Sequence, residues 1–96
     1  RVANPGCYPA ATLTALAPLL ADGLIEPSNI IIDAKTGISG AGRGGADSRF
    51  SYAESNENLV PYGLLKHVHM PEMARTIERL SGGSAAGLVF TPHLVP

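Results

Sequence analysis

The sequence has little of several residue classes, and each shortage excludes a class of protein. It contains one cysteine, and charged residues make up only 16% of the chain. One cysteine cannot form an internal disulfide, so the composition is not that of a secreted, disulfide-stabilised domain. A lone cysteine accompanied by histidines is more typical of an intracellular nucleophile, and we expect a cytoplasmic protein.

The charges that are present nearly cancel, since the formal net charge is -1. Without an excess of basic residues, the sequence predicts neither general nucleic-acid binding nor attraction to an acidic membrane surface. No apolar run reaches the roughly 18 residues that a membrane-spanning helix needs, and we find no charged and then apolar leader. An anionic ligand would therefore be held by a few individual Arg or Lys side chains.

Length and composition are those of one globular domain. With 96 residues, 45% of them hydrophobic, the chain is long enough for a single core and too short for two domains. It starts at Arg1 instead of a methionine and stops within the apolar segment "TPHLVP". We therefore expect a segment of a longer protein.

Turn residues and hydrophobic spacing predict the order helix, strand, loop, strand, helix, strand. The first helix begins near Cys7, after the turn "NPG", and ends near Gly23, and Pro18 is expected to kink or shorten it. The second helix runs through "PEMARTIERL" and ends at the glycine pair that follows. An α+β or α/β sandwich follows from this order.

The predicted strands differ in how they are covered. The run Ile30–Ile32 indicates a strand that is buried on both faces and central in its sheet. Pro61 confines any strand around "NLVPYG" to an edge, and "AGLVFTPHLVP" predicts a buried last strand. Residues 38–55 are rich in glycine and serine and have little periodicity, which is typical of a long functional loop.

Cys7 is the strongest candidate for chemistry. It lies where a helix begins, and the partial positive charge at a helix N-terminus stabilises a thiolate. The backbone N–H groups of the same turn could stabilise an oxyanion on a carbon that the sulfur attacks. The alternative is a structural role, because free cysteines often pack as small hydrophobic residues.

Three histidines are candidates for a role beside the cysteine. His67 and His69 are two residues apart, so in an extended segment both side chains point the same way. Either could act as acid and base for a cysteine nucleophile. The pair could instead bind zinc together with His93, although no HExxH motif accompanies them, or they could lie at the surface without a role.

The segment "GAGRGG", residues 40–45, matches the GxGxxG pattern of dinucleotide-binding turns. That pattern needs a helix that begins inside the motif and an acidic residue at the end of a following strand, and this sequence has neither. The residues alone favour a solvated loop with an incidental arginine, and the alternative is a flexible loop whose glycines let the backbone approach a ligand and whose Arg43 binds a carboxylate or phosphate. Asp33 and Lys35 are as consistent with a structural ion pair as with a site.

Five segments, in this order and at these spacings, resemble the N-acetyl-gamma-glutamyl-phosphate reductase family of arginine biosynthesis over residues 3–96. They are "NPGCYP", "IIIDAKTGISGAGR", "NENLVPYG", "HVHMPE" and "FTPHLVP". "NPGCYP" followed by "SGAGR" separates this family from the aspartate-semialdehyde and glyceraldehyde-phosphate dehydrogenases. Val68 and Met70 depart from the family's pattern His-Arg-His-Thr-Pro-Glu.

The resemblance implies an α+β fold in which a mixed sheet packs with helices, like the catalytic domain of glyceraldehyde-phosphate dehydrogenase. Residues 1–96 would form a catalytic domain fragment that makes substrate and dimerisation contacts. In the family this domain is inserted in a Rossmann domain that binds NADP, whose fingerprint the chain lacks. We expect NADP(H) to be bound mainly by a cofactor domain of the same polypeptide, the full-length enzyme to be a homo-oligomer, and the isolated chain to be inactive.

The reaction that the resemblance implies is the NADPH-dependent reduction of N-acetyl-glutamyl-5-phosphate to its semialdehyde. Cys7 would attack the acyl carbon and expel phosphate, and hydride from NADPH would reduce the resulting thioester. His67 or His69 would protonate the hemithioacetal oxygen and recover the proton when the aldehyde forms. The implied substrate-binding residues are Asn4, Ser39, Gly40 and Arg43, and no metal is implied. The sequence leaves open which histidine acts, and whether the acyl group is acetyl-glutamyl or a carrier-bound relative.

Two other functions stay open. The chain could be a non-catalytic assembly module, since the family's domain also forms subunit contacts and the apolar runs Ile30–Ile32 and Leu88–Phe90 could support an interface. A cysteine hydrolase is the third possibility, but no hydrolase motif surrounds Cys7.

Overall fold

The helices and strands follow the predicted order. The structure is a computed structural model, and it describes residues 1–43 and 48–96. The elements are α1 (Cys7–Ala21), β1 (Ile31–Gly37), α2 (Tyr52–Ser55), β2 (Val60–Pro61), α3 (Met70–Ser81) and β3 (Val89–Val95). The predicted loop contains two 3₁₀ turns, Ile38–Ala41 and Ser48–Phe50, and the single helical turn α2.

Helix α1 begins at Cys7, as the sequence predicts. Its end is marked by Gly23, which takes the left-handed conformation (φ 65°) that ends many helices. Pro18 does not end the helix, which continues to Ala21, so of the two expected effects the shortening is wrong and the kink stays a prediction. A proline removes only its own N–H donor, and the carbonyl of Pro18 still accepts a hydrogen bond from the N–H of Asp22 at 3.1 Å.

Helix α3 is amphipathic and lies where the sequence predicts the second helix. The side chains of Met73 and Ile77 are fully buried, at 0% exposure, whereas Arg75 and Arg79 are exposed. Gly82 ends the helix in the left-handed conformation (φ 68°), and its N–H donates to the carbonyl of Glu78 at 2.9 Å. Helices α1 and α3 pack against each other.

The three strands form a mixed sheet with the order β1-β3-β2. Strand β2 is antiparallel to β3, and Val60 lies opposite Leu94. Phe90, Pro92 and Leu94 are buried on one face of β3. The prediction that the Ile30–Ile32 strand is central and covered on both faces is wrong, since β3 is the central strand. In β1 exposed and less exposed residues alternate, which is the pattern of a strand with one covered face.

The described residues form two compact units: 1–32 with 65–90, and 33–64 with 91–96. The first unit contains α1 and α3, and the second contains the two 3₁₀ turns, α2 and β2. In the part of the chain that the structure describes, no helix is both long enough and apolar enough to cross a membrane. The predicted α+β class with a mixed sheet and helices is confirmed.

Candidate active site

Cys7 is exposed at the first residue of α1. The preceding residue, Gly6, is the N-cap and has no side chain that could cap the helix. The N–H groups at the start of a helix have no acceptor within it and carry the positive end of its dipole. The thiol therefore lies at the positive end of α1 and at the surface, and Cys7 does not pack as a buried hydrophobic residue.

His67 and His69 lie in the turn that leads into α3, and their rings are neighbours. The ring centroids are 4.9 Å apart, with 59° between the ring planes. The backbone N–H of His69 donates to Nδ1 of His67 at 3.2 Å, and this bond closes the turn. The two rings are therefore brought together by a side chain–backbone hydrogen bond within a turn, and not by an extended segment.

Two buried aromatic rings, Tyr8 and Phe90, pack against the histidines, and we call these four rings the aromatic cluster. The ring centroid of His67 is 5.4 Å from that of Tyr8 and 5.1 Å from that of Phe90, both edge to face. Tyr8 also contacts His69 at 6.2 Å and Phe90 at 5.0 Å between centroids. Because Tyr8 follows Cys7 directly, the cluster brings the histidines to the first turn of α1.

The surroundings of His67 favour its neutral form. Burial lowers the pKa of the His67 imidazole below its usual 6.5, and the nearby charge of His69 lowers this pKa further. Since Nδ1 accepts the hydrogen bond from His69, the neutral ring carries its proton on Nε2.

His69 lies against the residue that precedes the cysteine. A Cβ atom built on Gly6 would lie 2.5 Å from Nε2, 2.7 Å from Cδ2 and 2.8 Å from Cε1 of the His69 ring. The other ring nitrogen, Nδ1, is buried and has no hydrogen-bond partner among the described residues. A proton on Nδ1 would be a buried donor without an acceptor, so the neutral ring carries its proton on Nε2, the nitrogen that faces Gly6.

The other predicted site residues divide between the two units. Asn4 is exposed in the first unit, in the segment before α1. Ser39 and Gly40 lie in the 3₁₀ turn Ile38–Ala41 of the second unit, and Arg43 is exposed in the turn after it. Gly44 and Gly45 of the GxGxxG match lie outside the described residues. The described part of that match forms a 3₁₀ turn, whereas a dinucleotide-binding turn begins an α-helix.

Asp33 and Lys35 form the ion pair that the sequence allowed, with Lys35 Nζ 2.6 Å from Asp33 Oδ2. His93 joins the pair, since its Nδ1 is 3.1 Å from Asp33 Oδ1 and 3.3 Å from the carbonyl of Ala34. The hydrogen bond from Lys35 is the main cause that lowers the pKa of the Asp33 carboxyl. Among the described residues no three His, Cys, Asp or Glu side chains lie close enough to hold a metal ion, which gives the zinc alternative no support.

Sequence reasoning missed two parts of the candidate site, Gly6 and Phe90. The position of Gly6 directly before Cys7 was the one local signal for it, whereas nothing local connects Phe90 with the histidines. Tyr8 is a packing ring, since it is buried and lies against Phe90.

Comparison with known proteins supports the resemblance in the motifs. The N-acetyl-gamma-glutamyl-phosphate reductase of Methylobacterium sp. (strain 4-46) is 86% identical over 96 residues, which are 100% of this chain and 30% of the relative. The protein of the same name from Bradyrhizobium sp. (strain ORS 278) is 81% identical over 96 residues, covering 100% of this chain and 29% of the relative. That from Staphylococcus aureus (strain NCTC 8325) is 47% identical over 95 residues, covering 99% and 27%.

The chain therefore spans less than a third of the length of these curated relatives. The family model described as "Semialdehyde dehydrogenase, dimerisation domain" matches residues 7–96, from the exposed cysteine to the end of the chain. This match covers nearly the whole sequence, and the chain belongs to the semialdehyde dehydrogenase dimerisation-domain family.

Proposed function

We propose that this chain is the cysteine-bearing part of a reductase that converts N-acetyl-glutamyl-5-phosphate to its semialdehyde. The observation that carries the proposal is the close packing of the His69 ring against Gly6, which directly precedes the exposed Cys7 at the start of α1. The printed names of the relatives support the choice of reaction and substrate. A catalytic domain of the glyceraldehyde-phosphate dehydrogenase type, in the cytoplasm, is part of the same proposal.

In this proposal Cys7 forms the covalent intermediate. Its thiolate makes a bond to the acyl carbon, and the bond between that carbon and the phosphate oxygen breaks, so that phosphate leaves with the electron pair. The positive end of α1 stabilises both the thiolate and the oxyanion that develops on the acyl carbon. The product of this half of the reaction is a thioester on Cys7.

The second half is the reduction of the thioester, and there we assign the proton transfer to His69. Its Nε2 carries the proton on the side that faces the turn of Cys7, which suits a donor to the oxygen of the hemithioacetal. The same nitrogen recovers the proton when the carbon–sulfur bond breaks and the aldehyde leaves. His67 is assigned a positioning role, because its Nδ1 holds the backbone of His69.

The remaining predicted site residues are proposed to bind the substrate, and NADPH is proposed to bind outside the described residues. Arg43 is proposed to bind the phosphate or carboxylate of the substrate through bidentate hydrogen bonds. Asn4, Ser39 and Gly40 are proposed as further substrate contacts. NADPH would supply the hydride when bound, and the segment directly after β1 is a 3₁₀ turn, whereas a dinucleotide-binding turn begins an α-helix. We propose that another part of the full-length enzyme binds it.

The test replaces Cys7 in a full-length protein. The matching segment of the Methylobacterium relative is exchanged for this chain, a conservative exchange at 86% identity, and the product is called the chimeric reductase. Cys7→Ser should lower kcat at least about a thousandfold while the affinity for NADPH is kept, because an alcohol is a far weaker nucleophile and leaving group than a thiolate. Turnover is followed by NADPH absorbance.

Ala10→Ser is the matched control, since it adds a hydroxyl at an exposed position of the same helix. It should keep the turnover of the unaltered chimeric reductase. Unchanged kcat in Cys7→Ser would rule out the thioester mechanism.

A second function, assembly, is favoured by the family description itself, which names a dimerisation domain. Apolar side chains of the first unit are available for such a contact, since Ile31 is 75% and Val89 39% exposed. We propose that the full-length protein is a homo-oligomer. This role is compatible with the reductase proposal. If assembly were the only role of the chain, Cys7 would take no part in a reaction.

A further inference from the structure

The absence of a side chain at Gly6 has a direct consequence for the packing of His69. The space where a Cβ would stand is filled by three atoms of the His69 ring, at 2.5 to 2.8 Å from the ideal Cβ position. Real Cβ atoms essentially never come within 3.0 Å of another non-bonded heavy atom, so any side chain at this position would have to displace the ring.

The backbone of Gly6 does not itself require glycine. Its φ of -63° and ψ of 156° are in the extended region that every residue adopts. Glycine is therefore not needed here for a left-handed turn, as it is at Gly23 or Gly82. Among the described residues, the atoms nearest to the Cβ position of Gly6 belong to the imidazole of His69, and their closeness is what disfavours a side chain here.

The ring cannot move away without losing its other contacts. It packs against Tyr8 and His67, with centroids 6.2 Å and 4.9 Å away. Its backbone N–H is held by Nδ1 of His67, and its backbone carbonyl accepts from the N–H of Met73 at 3.1 Å. A side chain at Gly6 would thus push on a ring that also packs against Tyr8 and His67.

We propose that Gly6 is a positioning residue: its lack of a side chain sets the place of the His69 imidazole at the first turn of α1, beside the cysteine. This inference rests on the proposed function for its effect on turnover. The packing on which it depends can be measured independently of any reaction.

The packing is tested with a double-mutant cycle on Tm in the chimeric reductase, using Gly6→Ala, His69→Ala and the double variant. Gly6→Ala should lower Tm by at least about 3 °C, because the added methyl group overpacks a fixed ring. In the His69→Ala background the same change should leave Tm nearly unaltered, because the ring is gone. If Gly6→Ala does not fold, the double variant should still fold.

Gly37→Ala is the matched control for Tm. Gly37 is also an N-cap, with φ of -68° and ψ of 156°, but a Cβ there would meet only Ser39 Oγ at 3.7 Å and the carbonyl oxygen of Pro96 at 3.8 Å. These are ordinary van der Waals distances, so this variant should keep its Tm.

The effect on the reaction is tested by steady-state kinetics. Gly6→Ala should lower kcat about a hundredfold, with KM for the acyl phosphate within about twofold, because a displaced acid affects the transition state more than substrate binding. The ¹⁵N chemical shifts of the His69 ring should change in Gly6→Ala and stay constant in Gly37→Ala.

The outcomes separate the two proposals. A Tm loss that is the same with and without the His69 ring, or a normal kcat in Gly6→Ala beside an inactive Cys7→Ser, would overturn the role of Gly6 and leave the reductase proposal standing. Full turnover in Cys7→Ser would instead overturn the proposed function, and with it any effect of Gly6 on turnover.

Discussion

At the scale of the residue, two histidines with the same chemistry have different surroundings. Nδ1 of His67 accepts a hydrogen bond from the backbone, and its ring lies edge to face with Tyr8 and Phe90. His69 has a buried Nδ1 without a partner among the described residues, and its Nε2 faces Gly6. The first arrangement suits a residue that holds its neighbour in place, and the second suits one that exchanges a proton.

His67 should make the stability of the protein depend on pH. Its pKa is below the usual 6.5 in the folded state, because of burial first and of the charge of His69 second. The unfolded chain therefore binds more protons in acid, so the stabilisation is complete above about pH 6.5 and is lost as the pH falls through the folded-state pKa. Tm of the chimeric reductase should decrease between about pH 7 and about pH 5.

His67→Asn is the control, because the amide oxygen of asparagine can accept a hydrogen bond near the place of Nδ1 but does not titrate. Its Tm should fall less over the same pH range. An equal fall in both proteins would show that His67 is not the responsible group.

The sequence predicted the local features of this candidate site better than its long-range contacts. The position of Cys7 at a helix start was predictable, because turn residues and the first helical turn are adjacent in the chain. The contact of Gly6 with His69 was not, because it joins segments that are far apart in sequence. The choice between His67 and His69 also depends on such contacts, because their spacing of two residues does not distinguish one ring from the other.

At the scale of the element, α3 connects the site to the core. His69 is the residue before this helix, and the buried side chains of Met73 and Ile77 fix the helix within the first unit. The strong apolar period and the final glycine made this helix predictable from the sequence. The strands were less predictable, because a run of isoleucines reports a preference for burial and β structure but not the order of strands in a sheet.

The core face of α3 should carry most of its stability. Ile77→Ala should cost roughly 2–5 kcal/mol, because it removes a fully buried side chain and leaves a cavity. Arg75→Ala, on the exposed face of the same helix, should change stability by less than about 0.5 kcal/mol. Thermal unfolding of the chimeric reductase measures both, and similar losses for the two variants would contradict the assignment of the buried face.

At the scale of the whole molecule, the chain exposes apolar side chains and belongs to a family described by dimerisation. Ile31 and Val89 lie in neighbouring strands of the first unit, where the N–H of Val89 donates to the carbonyl of Ile30 at 2.9 Å. In an oligomer of the full-length protein, exposed apolar positions of this kind are expected to be covered.

Ile31→Glu should therefore weaken the oligomer of the chimeric reductase, because a carboxylate would be buried in an apolar contact. Sedimentation velocity should show at least about a tenfold increase in the dissociation constant. Leu24→Glu is the control, since Leu24 is 68% exposed and follows α1 outside any strand. An equal effect of the two variants, or none, would speak against a contact through Ile31.

The prolines of β2 and β3 bear on association as well. Strand β2 consists of Val60 and Pro61, so it can donate at most one backbone N–H, and Pro92 of β3 has none. The carbonyl of Pro92 accepts from the N–H of Tyr62 at 3.0 Å, just where β2 ends. In the part of the chain that the structure describes, β2 lies at the edge of the sheet, and an edge this short and this poor in donors is a weak template for the addition of another strand.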